Sequence, residues 1–130
     1  MIRISPITKI DNQKHIAILD TSSISFMQKL QEKGVRIGNI LCDYELILIP
    51  GWVLIEIEDA EGRAEFVQDL IDKGYPIYSI AEETYTDLAA CLRKRLKNGS
   101  RCVIMATAAV IIWFIRLEMF PEFGQRHFPV

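Results

Sequence analysis

Three apolar runs, each too short for a helix, set the terms for this chain: IAILD at residues 16 to 20, LILI at 46 to 49 and YPIYSI at 75 to 80. Short apolar runs bounded by turn-forming residues read as buried strands, and the segments between them have helical spacing. Ser23 to Lys33 sets Ile24, Met27 and Leu30 on one side, with Gly34 as the stop. Residues 35 to 45 leave room for a short irregular helix. Pro50 closes LILI, and Trp52, Ile55 and Glu56 open a further helical stretch. Ala60 to Lys73 aligns Phe66, Leu70 and Ile71 ahead of Gly74, and Glu82 and Glu83 open a helix through Leu88, Leu92 and Leu96 to Asn98 and Gly99. Strands separated by helices imply parallel crossovers. The pattern therefore predicts an α/β fold, a small parallel sheet with helices on both faces in a three-layer α/β/α arrangement.

A chain of 130 residues is one domain by size, and a composition that is 50% hydrophobic and 25% charged excludes a disordered chain. Residues 1–15 precede the first run and read as an N-terminal extension. Residues 91–130 differ in character: the first 90 residues hold 15 acids and 8 bases, the last 40 hold 2 acids and 7 bases. The bases of that second part begin with Arg93, Lys94, Arg95, Lys97 and Arg101, a cluster suited to phosphate groups or to a solvated helix face. CVIMATAAVIIWFI, residues 102 to 115, carries no charge, but fourteen residues fall short of the roughly 20 needed to span a bilayer. It is expected in the core. Arg3, Lys9, Asp11 and Lys14 interrupt the opening, so no secretory leader is expected, and Cys42, Cys91 and Cys102 stand apart among apolar residues as reduced core thiols. Together these point to a cytoplasmic protein without a membrane segment.

Asp20 poses the functional question, because it ends a buried strand. It has three readings: a cap for the following helix, a ligand-binding group at the carboxyl end of a strand, or a solvated loop residue. Glu56 sits between Ile55 and Ile57, a poor setting for a freely solvated side chain, whereas Glu58, Asp59 and Glu61 look like surface acids. If the first two runs are neighbours in a parallel sheet, Asp20 and Glu56 come to one rim, where a pair of carboxylates can hold a divalent cation. Rival phosphate chemistries lack their signatures: there is no glycine-rich phosphate loop, no dinucleotide fingerprint and no second aspartate two residues after Asp20. His15 and His127 are too far apart to suggest zinc, and the aromatic residues Trp113, Phe114, Phe120, Phe123 and Phe128 suit packing or a protein partner's groove.

ILDTSSI and IPGWVLIEI resemble the two opening motifs of the PIN-domain ribonucleases, and the order of elements from about residue 16 to residue 110 is similar as well. The resemblance implies a small α/β domain that cuts single-stranded RNA with magnesium or manganese, often as the toxin of a toxin–antitoxin pair and often as a homodimer. Residue by residue, it places Asp20 at the first metal-binding acid, Ser22 at the small polar position beside the metal, and Glu56 at the second acid. The basic residues Arg93, Lys94, Arg95, Lys97 and Arg101 would then hold the RNA backbone. At the third acid the chain departs from the pattern. Arg101 occupies that place if the helix opens after Gly99, and Ala109 occupies it if VIMAT is the last strand. Two function classes follow: a metal-dependent ribonuclease, or a catalytically silent PIN-like domain that binds RNA or an antitoxin-like protein.

Overall fold

A computed structural model of the chain describes residues 2–10, 15–60 and 62–90, and the backbone of residues 103–105. The elements run β1 (Pro6–Ile7), β2 (His15–Ile18), α1 (Thr21–Glu32), α2 (Gly38–Leu41), β3 (Leu46–Ile49), α3 (Gly51–Glu58), α4 (Arg63–Asp72), β4 (Ile77–Ile80), a 3₁₀ turn (Glu82–Thr84) leading into helical backbone at 85–90, and β5 (Val103–Met105). The five strands form one parallel sheet in the order β1-β4-β3-β2-β5. The α/β architecture anticipated from the alternating runs is the one observed.

Side chains alternate across a strand, so each apolar run feeds two cores. Ala17, Ile47, Ile49 and Ile77 point to one face and pack with Ile24 and Met27 of α1, Leu41 of α2, Val53 and Ile57 of α3, and Phe66, Val67 and Leu70 of α4. Ile16, Ile18, Leu46, Leu48 and Ile80 point to the other and pack with Tyr85, Leu88 and Ala89. A strand covered on both faces has no polar side to show, which is why LILI is continuous rather than alternating. Trp52 packs against both cores. Gly34 and Gly74, placed as helix stops, have φ of 91° and 96°, the left-handed backbone that ends a helix without a Cβ penalty.

Some expectations change. Residues 2–10 are stitched into the domain rather than trailing from it. Ser79 and Ala81 donate backbone hydrogen bonds to Ser5 and Ile7, and the Ile2 N–H donates to Glu58 Oε1 at 3.1 Å. Glu58, exposed as a surface acid should be, also anchors the N-terminal segment. Cys42 is exposed rather than in the core, because it follows Leu41, the buried residue of the one-turn helix α2, and turns the other way. Cys91, Cys102, His127 and the aromatic tail lie outside the described residues, as does the helix beyond residue 90.

Candidate functional site

Strand order places the site before any side chain is considered. The chain passes from β2 to β3 and on to β4 on one side, while β5 pairs with the other side of β2. Such a reversal opens a crevice at the carboxyl ends of the strands, where open α/β sheets bind ligands. Asp20 stands two residues beyond the end of β2, at that rim.

Asp20 caps α1. Its backbone is extended, with φ −96° and ψ 176°, and its carboxylate Oδ1 accepts from the Ser23 N–H at 2.8 Å. That bond satisfies one of the free donors of the first turn, and the negative charge faces the positive end of the helix dipole. The cap fixes the carboxylate at the rim, half-buried, so structural anchoring and ligand binding are compatible uses of one side chain.

Glu56 reaches the same place from β3. Pro50 ends the strand and α3 begins immediately, with Val53 and Ile57, one turn apart, forming its buried stripe. Glu56 lies about 100° around the helix from Ile57 and is exposed, as is Ile55. The expectation that flanking isoleucines would shield Glu56 fails because a short helix buries only one stripe. Instead, Glu56 is held by a hydroxyl: Thr21 Oγ1 donates to Glu56 Oε2. Thr21 follows Asp20 in the chain, so this bond joins the second acid to the first motif across 35 residues.

Thr21, rather than Ser22, is thus the hydroxyl in contact with the acid, and sequence reasoning missed it. The signal was a hydroxyl in the first helical turn beside an acid. Ser22 is exposed and faces an open cleft of about 340 Å³ that it shares with Thr21, Ser25, Phe26, Lys29 and Arg63. Arg63 enters from the first position of α4, where Gly62 turns the chain with φ 78°, and its Nη2 donates to Ser25 Oγ at 3.0 Å.

A third support comes from the opposite side of the sheet. Pro50 has no side-chain oxygen with which to cap α3, and the Gly51 N–H donates to the buried Tyr85 hydroxyl at 2.9 Å. Burial pushes the Tyr85 phenol up to about 12, and the Gly51 N–H opposes that rise. Tyr85 thereby fixes the start of the helix that carries Glu56.

Asp20 and Glu56 are the two acids at this rim, and two carboxylates with water completing the shell are a donor set of the kind magnesium takes. No group of three or more His, Cys, Asp or Glu side chains comes together among the described residues. Val103–Met105 is a strand beside β2, and in the sequence the next four residues are Ala106, Thr107, Ala108 and Ala109. After Asp87 the sequence has no carboxylate until Glu118. The basic residues Arg93, Lys94, Arg95, Lys97 and Arg101 lie outside the described residues. Among the described residues, no helix is long and apolar enough to cross a membrane. Comparison of the chain with family models, with curated proteins and with solved structures gives no significant match.

Proposed function

We propose that the chain is a PIN-like domain in which Asp20 and Glu56 together hold one magnesium or manganese ion and act on single-stranded RNA as a metal-dependent endoribonuclease. The observation that supports this most is the Thr21–Glu56 hydrogen bond, which ties the two acids of the opening motifs to one rim at the carboxyl ends of β2 and β3. Asp20 and Glu56 bind the ion, Thr21 orients Glu56, and the basic residues Arg93, Lys94, Arg95, Lys97 and Arg101 supply charge for the RNA backbone. A bound ion would polarise the phosphate and lower the pKa of an attacking water. Two carboxylates neutralise one dication and leave a second uncompensated, so the reading is of a one-ion site.

The test is incubation of a labelled single-stranded RNA with the protein and manganese. Cleavage that is lost in Glu56→Gln supports the nuclease. RNA that stays intact in manganese favours the second reading, a silent domain that binds RNA or an antitoxin-like protein, for which the lack of a third clustered acid among the described residues argues. Cleavage undiminished in Glu56→Gln would refute the assignment of the site.

A further inference from the structure

The first 90 residues hold 15 acids against 8 bases, yet two of those bases, Lys29 and Arg63, meet at one concavity whose lining contains no acid. The cleft adjoins the acid pair, because Thr21 both lines it and bonds Glu56. Its floor is built. Ser22, Ser25 and Lys29 repeat along one face of α1 at spacings of three and four residues, and Arg63 is braced against Ser25 at 3.0 Å. That bond uses one of the five guanidinium donors. Among the described residues Arg63 has no carboxylate within ion-pair distance, whereas Lys73 is paired with Asp69. A guanidinium braced by a hydroxyl and sharing its cleft with a lysine is a donor set of the kind that recognises phosphate.

Phe26 supplies the other half. It is 62% exposed, the most exposed large apolar side chain in the described structure, and it lies in this cationic cleft. A single exposed phenylalanine elsewhere would be unremarkable. In a cleft that also holds two cations its face is a platform for a base. Clefts that hold small ligands start at roughly 300 Å³, so a cleft of about 340 Å³ has room for one nucleotide.

We propose that this cleft seats one nucleotide of a single RNA strand next to the acid pair, with its phosphate on Arg63, Lys29 and Ser25 and its base on the ring of Phe26. The proposal rests on the RNA part of the preceding reading and not on its metal ion. A duplex presents no free base face to Phe26, so the site selects unpaired RNA.

The experiment is fluorescence anisotropy of the full chain with a labelled ten-nucleotide oligouridylate in EDTA, so that loss of metal-dependent cleavage does not affect the readout. Binding should weaken at least about fivefold in Phe26→Ala, since stacking of one base is at stake. Arg63→Gln and Lys29→Gln should each weaken it and flatten its salt dependence by about one phosphate contact, a slope change of roughly 0.7 in single-stranded RNA. Lys73→Gln, remote from the cleft, should bind as the parent does. Lys29 and Phe26 are surface positions, so those variants test the site even if Arg63→Gln melts early. Parental affinity in all three cleft variants, or no binding of the oligouridylate by the parent, overturns the proposal. Dependence on the cleft residues without any manganese cleavage would sustain it while refuting the nuclease.

Discussion

Replacing Tyr85 by phenylalanine removes a single oxygen from the far side of the sheet and should loosen the helix that carries Glu56. The Gly51 N–H, at the first position of α3, loses its acceptor, and Pro50 offers no substitute. A part-buried backbone donor left without a partner costs about 1 kcal/mol. A chain of this length has an unfolding entropy of about 0.27 kcal/mol/K, so Tm should fall by about 4 °C near neutral pH. Alkali should reverse the order. The folded state holds the phenol proton up to about pH 12, while the unfolded chain releases it near 10. Between those values the folded state binds more protons than the unfolded one, so this contribution is fully present below pH 10 and is lost as pH rises, by about 1.4 kcal/mol per unit. Phenylalanine has no proton to lose. Thermal melts of both proteins from pH 8 to 11.5 should therefore show the parent ahead at first and the gap closing, then inverting, above pH 10. A gap of constant size across that range would mean that Tyr85 is not the buried, bonded phenol described.

Two further substitutions separate anchoring from charge. Asp20→Ala should cost about 1 kcal/mol in chemical denaturation, because the Ser23 N–H loses its cap, whereas Asp20→Asn keeps an amide oxygen there and should lie within about 0.5 kcal/mol of the parent. Gly62→Ala should destabilise by about 1 kcal/mol, since its φ of 78° disfavours a side chain and the added Cβ would stand 3.2 Å from Gln28 Nε2. The same change should weaken oligouridylate binding, because Gly62 aims Arg63 at Ser25.

The sheet was legible because IAI and LILI are buried on both faces and carry no competing polar pattern. Helix stops at Gly34 and Gly74 were legible for a local reason, the left-handed backbone that glycine adopts freely. What escaped depends on docking. Pro6–Ile7 is too short to have a period and becomes a strand only because β4 offers an edge. The Thr21–Glu56 and Arg63–Ser25 bonds join residues 35 and 38 positions apart, a pairing that no local pattern encodes. In α3 the run GWVLIEIE is apolar on several sides, so its buried stripe was settled by contact with the sheet, leaving Ile55 and Glu56 outside. Cys42 faces solvent for a similar reason: apolar neighbours in sequence do not fix the direction of a side chain on a single helical turn.

A manganese titration of Tm decides whether Asp20 and Glu56 hold a cation together. At ten times its dissociation constant, an ion that binds only the folded state stabilises it by about 1.4 kcal/mol, a rise of about 5 °C for this chain. Asp20→Asn retains the cap and removes the charge, so it should melt near the parent without manganese and show little or no rise with it. An equal rise in both proteins, or none in the parent, would mean that the two acids do not hold a cation together.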